Sequence, residues 1–212
     1  MSSNLLVEII NLEETKRVLE AYALAHKVHV AVFDTDGVTI PALPDTPARV
    51  CVLLEQTDYG QHLCQSCRSD MGRQSMLLGE GYVHTCPAGL VVWTSPLVHA
   101  GQYVGGIAAG QVIMWELDDM AKSELTDLAD MCGISPEVLL DAATELHCRD
   151  TQEVQAASDL LFVAATYISN QDSMPLKGRR SISQQQARLA ESIIEKKQRI
   201  DQVMSSSRYV SY

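Results

Sequence analysis

The chain has 212 residues, of which 46% are hydrophobic and 20% are charged. A chain of this length and composition can bury a full core without disulfides or metal ions, so we expect one main globular domain. No apolar run approaches the ~18 residues that a membrane-spanning helix needs. The first residues are acidic where a secretory signal peptide is basic. These features argue against a membrane protein and predict a cytoplasmic one.

The charge is distributed unevenly along the chain. A net charge of −11 argues against direct nucleic-acid binding by the main domain, because such a domain must neutralise phosphates with basic side chains. Residues 175–212 hold eight basic and three acidic residues, a net charge of +5, which leaves −16 on residues 1–174. A breaker sequence, S-M-P-L-K-G, spans this boundary. The sequence therefore predicts a domain over residues 1–174 and a basic segment over residues 175–212.

The first third of the chain predicts helices around a strand and a turn. Apolar residues recur near helical spacing over residues 5–22 and indicate an amphipathic helix. Residues 28–33 alternate and are β-branched, and the D-T-D-G that follows predicts a tight turn into a second strand at residues 38–40. The acids of D-T-D-G could suggest a cation site, but the later ligands of a calcium loop are missing and turn chemistry is the simpler explanation.

The next segment carries prolines and then two helices. Three prolines between residues 41 and 47 predict a rigid connector, and residues 48–56 are apolar and compatible with a helix. Residues 60–79 predict a longer helix, which ends at glycines before a strand at residues 82–86.

A hairpin is predicted from residues 91–98 and 103–114, joined at H-A-G-Q. If Val98 pairs with Tyr103, then Trp93 and Ser95 lie on the same face as the small residues at 106, 108 and 110. Small residues inside a strand mark places where a packed helix or a ligand approaches the backbone. A change of one residue in the register would exchange the two faces.

The remainder of the chain is predicted to be helical. Helices are expected over residues 118–132, 138–146 and 151–168, the second one capped by Ser135 and Pro136. Beyond Gly178, seam residues recur at alternating steps of four and three. They are Ile182, Gln186, Leu189, Ile193, Lys196, Ile200 and Val203. About three heptads predict a coiled-coil helix that forms a parallel homodimer, weakened by the two polar seam residues.

The basic segment has two other interpretations. It could be a linker to a lost output domain, or it could dock on an acidic protein partner or on the acidic body of its own chain.

Four of the six cysteines form a candidate metal site. Cys51, Cys64, Cys67 and Cys86 have the spacing C-x12-C-x2-C-x18-C, and in a reducing compartment such a cluster favours metal binding or redox chemistry. Four thiolates form a closed tetrahedral zinc site with bonds of about 2.3 Å. Only one C-x2-C pair is present, so buried thiols without a metal are the alternative. We predict one structural zinc ion per chain, with an iron–sulfur cluster as the alternative.

The hairpin supplies the candidate ligand-binding residues. Trp93 would form an aromatic wall, and Ser95 and Gln111 would supply hydrogen-bonding groups, as in the usual small-molecule site. In the predicted register Gln111 faces away from Trp93. A floor of glycine and alanine leaves room for a compact ligand.

Several segments together resemble the PocR-type sensory domain. They are the four-cysteine spacing, Y-V-H-T-C-P-A-G-L, S-P-L-V-H-A-G-Q-Y-V-G-G-I and A-A-G-Q-V. The resemblance covers roughly residues 5–170 and implies a PAS-like α/β (α+β) fold, with a small antiparallel sheet flanked by helices. It also implies sensing of a small organic ligand, such as a short diol, in a signalling or transcription-regulating system. Family members commonly precede an AraC-type DNA-binding domain or a histidine kinase core, and nothing resembling either follows residue 178.

Three classes of function follow from these observations. The chain could be a small-molecule sensor that signals through its coiled coil, a metal or iron–sulfur redox sensor that uses the four cysteines, or an enzyme. No catalytic motif is present, and the six histidines are scattered, so we expect a protein that is not an enzyme.

Overall fold

A four-stranded antiparallel sheet organises the residues that the computed structural model describes, which are 2–44 and 47–170, with side chains from Leu6 onward. The elements are α1 (Ser2–Ile9), α2 (Leu12–His26), β1 (His29–Asp34), α3 (Arg49–Glu55), α4 (Asp58–Leu78), β2 (Tyr82–Thr85), β3 (Val91–His99), β4 (Gln102–Val112), α5 (Asp119–Cys132), α6 (Pro136–Ala143) and α7 (Thr151–Ser169). The strand order is β1-β4-β3-β2. No helix in this described part is both long and apolar enough to cross a lipid bilayer.

Helices cover both faces of the sheet. α4 packs on one face, and α7 packs on the other, where it is joined by α2. This arrangement confirms the predicted α/β (α+β) class, with a small antiparallel sheet flanked by helices, and it is consistent with a PAS-like fold. The predicted coiled-coil helix over residues 175–212 lies outside the described residues.

The N-terminal third differs from the prediction in two details. The single helix expected over residues 5–22 is two helices, because Asn11 begins α2 by accepting a hydrogen bond from Glu14 N at 3.1 Å. The second strand expected at residues 38–40 is reduced to one bridge, between Phe33 and Thr39. The turn itself is held by the Asp34 carboxylate, which accepts hydrogen bonds from two backbone N–H groups further along the turn.

Two β-bulges set the faces of the hairpin. Val98 pairs with Tyr103, as predicted, but Val104 and Gln111 are extra residues of β4 that have no partner in β3. Each inserted residue shifts the alternation of faces by one position. Trp93 therefore lies opposite Ala109, and the prediction that it shares a face with residues 106 and 108 is wrong.

Two apolar clusters stabilise the fold. The first, which we call the sheet core, lies between the sheet and the helices α1, α2 and α7, and its members include Leu19, Val30, Val32, Trp93, Ile107 and Leu161. The second, the helical core, joins α3, α5 and α6, and its members include Leu54, Leu90, Leu125, Leu128 and Leu139. Between the helical core and the sheet face opposite the sheet core lies a cavity.

Candidate functional site: a cavity lined by cysteines

The cavity lies between the sheet and the helices α3 and α4. Its floor is formed by small and β-branched residues of three strands, namely Ala31, Val92, Thr94 and Ala108. The space open to the centre of a water-sized sphere is about 70 Å³. That volume is well above the roughly 10–15 Å³ that is needed to hold one water molecule. The cavity therefore suits a compact molecule of a few heavy atoms.

The structure brings all four predicted cysteines to the wall of this cavity. Cys51 lies on α3, Cys64 and Cys67 lie one turn apart on α4, and Cys86 follows β2. α3 and α4 approach closely because Gly60 has no side chain, and a Cβ there would clash with the carbonyl oxygen of Leu54. This close turn is what places the cysteine of α3 beside those of α4.

The cavity thiols have raised pKa values. Burial raises the pKa of Cys64 to about 11 and that of Cys67 to about 12. Burial also raises the pKa of Cys51 and Cys86, and the neighbouring cysteines add to the effect at Cys51. At neutral pH the metal-free cavity is therefore lined by uncharged thiols, and a bound cation would have to displace their protons.

The donor set suits a soft metal ion, but the side chains do not converge on one point. Among the described residues, no group of three His, Cys, Asp or Glu side chains has a metal-binding arrangement. Cys67 Sγ lies 4.0 Å from His84 Nε2. Closing a four-thiolate site would require side-chain rotations that bring each sulfur within about 2.3 Å of the ion. Zinc and the iron–sulfur cluster therefore stay predictions.

Polar side chains interrupt the apolar wall of the cavity. The Arg68 guanidinium pairs with Glu55 at 2.5 Å and donates a second hydrogen bond to Gly37 O at 2.8 Å. The Thr94 side chain is almost fully buried, and its hydroxyl has no hydrogen-bond partner among the described residues. A buried hydroxyl without a partner marks a place for a water molecule or a polar ligand group.

Gln111 lies at the edge of the cavity. As the bulged residue of β4 it has a left-handed backbone, with φ of 60°. Its side-chain oxygen accepts a hydrogen bond from Ala48 N, at the start of α3, at 2.5 Å. Bulges often redirect a side chain next to a functional site. Here the bulge places the Gln111 side chain in the wall shared by the cavity and a neighbouring surface groove.

The structure does not bring Trp93 and Ser95 to this cavity. Trp93 is 1% exposed in the sheet core, and its Nε1 donates to Tyr22 OH at 2.8 Å. Tyr22 OH in turn donates to Ala157 O of α7 at 2.6 Å. Trp93 also borders a separate cleft between α2 and α7. Ser95 is fully buried opposite Ile107, on the same face of the sheet as Trp93.

The sequence reasoning missed Thr94, Arg68, Glu55 and His84, all of which line the cavity. Arg68 directly follows the second cysteine of the C-x2-C pair, which is a signal in the sequence. Thr94 is next to Trp93 and therefore lies on the opposite face of the strand, so assigning the site to that other face would have identified Thr94. Nothing in the spacing of Glu55 or His84 points to the cavity, because both are brought there by helix packing and strand pairing.

A family model described as a sensory domain found in PocR matches residues 8–173 of the chain. The matched region contains the four strands, the four cavity cysteines and the whole of α7. No curated protein matches the chain at a significant level.

Proposed function

Because the chain belongs to the family of sensory domains found in PocR, we propose that it senses a small organic molecule bound in the cysteine-lined cavity. The observation that carries the proposal is the buried Thr94 hydroxyl, which lines the cavity and has no partner among the described residues. An apolar concavity with a few polar groups is the usual form of a small-molecule site.

The chemistry of the wall restricts the ligand. The cavity is small, its thiols are uncharged in the metal-free protein, and its ionic groups Arg68 and Glu55 neutralise each other. Hydrogen bonds are available from the Thr94 hydroxyl and from the Gln111 amide. A compact neutral molecule with one or two hydroxyl groups, such as a short alcohol or diol, satisfies these conditions. The role we propose is therefore binding and signalling rather than catalysis, in a cytoplasmic protein.

A thermal-shift screen with matched variants tests this site. Thr94→Val and Ser95→Ala each remove a buried hydroxyl that has no partner among the described residues, from adjacent positions on opposite faces of β3. We expect a small alcohol or diol to raise the Tm of the wild type and of Ser95→Ala. The Thr94→Val protein should need at least about tenfold more ligand for the same rise in Tm, because it lacks one hydrogen bond in a buried site.

The screen has clear contrary outcomes. A panel of small alcohols, diols, amines and acids that leaves the wild-type Tm unchanged would remove the organic ligand from the proposal. A compound that stabilises Thr94→Val as strongly as the wild type would show that the ligand binds elsewhere. A loss of the ligand-induced rise in Tm in Ser95→Ala alone would show that Ser95 is a ligand-binding residue.

We further propose that β3 and α7 relay the binding event to the basic segment. Adjacent residues of β3 point to opposite faces of the sheet. Thr94 lines the cavity, whereas Trp93 is hydrogen-bonded to Tyr22, which is hydrogen-bonded to α7. At the other end of the strand, Val98 N donates to Ser169 Oγ, the last residue of α7, at 3.0 Å. A change in β3 would therefore reach α7 at two points, Ala157 and its last residue, Ser169.

The relay requires that residues 175–212 form the dimeric coiled coil predicted from their seam. We expect the full chain to sediment as a homodimer and a 1–176 variant to lose much of its self-association, because about three heptads supply the pairing surface. Sedimentation velocity at matched protein concentrations measures this. Equal oligomeric states of the two proteins would refute the role of the segment, and binding of an acidic protein would then become its proposed role.

A second candidate function rests on the meeting of the four cysteines in one cavity. Soft thiolate donors suit Zn²⁺, which would stabilise the fold, or an iron–sulfur cluster, which would make the domain a redox sensor. Cys51, Cys64, Cys67 and Cys86 would hold either group. Because the thiols line the same space as Thr94, a metal group and an organic ligand would share or compete for the cavity.

A further inference from the structure

A surface groove lies on the far side of Gln111 from the cysteine cavity. It is formed by the end of α2, the start of β1, the end of β4, the start of α3 and the chain that follows α6. Its volume is about 390 Å³, and its polar lining residues are Lys27, His29, Arg49, Gln111, Glu145 and His147. Apart from Pro47 and Gln111, the residues that line the groove do not line the cavity.

Among the described residues that line the groove, Lys27 and Arg49 carry a positive formal charge and Glu145 carries a negative one, whereas residues 1–174 carry a net charge of −16. Arg49 pairs with Glu145 at 2.7 Å and with Asp141 at 2.8 Å. These two carboxylates outweigh the single positive charge of Arg49, so Arg49 is not available to bind an anion. Within the described part of the chain, no acidic side chain forms an ion pair with Lys27, His29 or His147.

The two imidazoles of the groove lie within electrostatic range of each other. Burial lowers the pKa of His29, and the positive charge that His147 can carry lowers it further. An anion in the groove would favour the charged form of the His29 imidazole, beside the Lys27 ammonium group.

Backbone strain is concentrated at the same place. Three non-glycine residues of the described chain have positive φ, and two of them, Lys27 at 52° and Gln111 at 60°, line the groove. Lys27 is the left-handed residue that ends α2, a position where glycine is the common choice. Strained residues of this kind cluster at ligand sites because surrounding contacts must maintain them.

We propose that this groove is a second binding site, separate from the cavity, for a small anion with a carboxylate or phosphate group held by Lys27, His29 and His147. Lys27 and His29 lie two residues apart where α2 leads into β1, and His147 lies in the chain after α6, so an anion that bridges them would fix these two segments to each other. This proposal does not depend on the compact-ligand proposal.

Inorganic phosphate and malonate serve as the probes, and each is titrated into the full chain at constant ionic strength set with sodium chloride. We expect at least one of them to give a saturable rise in Tm and saturable heat in calorimetry. A response to phosphate alone assigns a phosphate-bearing ligand, and a response to malonate alone assigns a carboxylate. Equal effects of chloride and both probes at matched ionic strength would overturn the proposal, because they would show screening without binding.

Variants separate binding from folding. His147 is exposed, so His147→Gln should fold normally, and we expect it to weaken anion binding at least about fivefold, as loss of a charge-assisted contact does. His62→Gln, at an exposed position of α4, should bind like the wild type. Unchanged affinity in His147→Gln and in the more buried His29→Gln would overturn the assignment.

Lys27→Gly provides a test in which stability and binding move in opposite directions. Glycine relieves the left-handed strain, so the anion-free Tm should rise, whereas removal of the ammonium group should reduce the anion-dependent shift. Ala100→Gly, which relieves the same strain in the hairpin turn, should keep the full anion response. An undiminished response in Lys27→Gly would remove Lys27 from the site.

Discussion

Replacing Trp93 with alanine should lower the free energy of unfolding by about 3–5 kcal/mol, the range for truncating a large aromatic residue in a core. Trp93 is 1% exposed in the sheet core. Its loss leaves a cavity and also leaves Tyr22 without the hydrogen bond that it accepts from the indole N–H. The effect is one on folding, so Trp93→Ala is unsuitable as a control for ligand binding in the cysteine-lined cavity.

Urea unfolding followed by circular dichroism measures the change. Trp115→Ala is the matched control, since Trp115 is 47% exposed and its truncation should cost less than about 1 kcal/mol. If Trp93→Ala does not fold, Trp93→Phe retains most of the volume and should lose about 1–3 kcal/mol, chiefly from the buried hydrogen bond. Equal stability of the Trp93 and Trp115 variants would contradict the placement of Trp93.

The metal-free protein should lose stability steeply above pH 9. Burial raises the pKa of Cys64 to about 11 and of Cys67 to about 12, and it also raises those of Cys51 and Cys86. Above the unfolded thiol pKa of about 8.5, the unfolded chain releases protons that the folded chain retains. Each such thiol then removes about 1.4 kcal/mol of stability per pH unit until its folded pKa is reached, and below pH 8 its contribution is fully present.

Urea midpoints between pH 7 and pH 10.5 measure this dependence. A Cys64→Ala, Cys67→Ala double variant should show a shallower loss, by up to about 2.7 kcal/mol per pH unit for the two thiols. Cys148→Ala removes an exposed thiol outside the cavity and should leave the wild-type dependence unchanged. A wild-type profile as flat as that of the double variant would contradict the neutral thiol cavity.

A bound zinc ion would reverse the direction of the pH dependence. Zinc ligands are thiolates in the folded protein, so stability would be lost as the pH falls and protons compete with the metal. Protein purified without chelator should then contain about one zinc per chain, which metal analysis measures, and chelation should restore the alkaline loss. Absence of metal together with the alkaline loss would contradict both the zinc site and the iron–sulfur alternative.

Most helices and strands of the described residues were predictable because their patterns are local. The capping sequence S-P-E marks the start of α6 and the glycine after residue 78 marks the end of α4. The split between α1 and α2 was not predicted, since the apolar spacing continues through the break and only the cap at Asn11 marks it. The small residues of β4 were predicted to admit a packed helix or a ligand, but at Gly106 it is the Phe33 ring of the neighbouring strand β1 that approaches the backbone.

The candidate site was predictable only in part, and the bulges are the physical reason. Side chains alternate between the two faces of a strand, so the sequence predicts which residues of one strand share a face. It cannot show where an extra residue, without a partner in the neighbouring strand, interrupts this alternation. With Val104 inserted in β4, the residues that lie opposite Trp93 and Ser95 are 109 and 107, and this face of the sheet belongs to the sheet core. The meeting of the four cysteines was expected from their spacing, whereas the cavity beside them depends on how α3 and α4 pack against the sheet.

The position of Gln111 has a thermodynamic consequence. The Gln111 side chain, fixed by its hydrogen bond to Ala48 N, lies with Pro47 in the wall between the cavity and the groove. Any occupant of one compartment that displaces this amide changes the free energy of filling the other. Linkage requires the effect to be reciprocal: the factor by which a cavity ligand alters the affinity for the anion equals the factor by which the anion alters the affinity for that ligand. The response of the domain to one molecule would then depend on the concentration of the other.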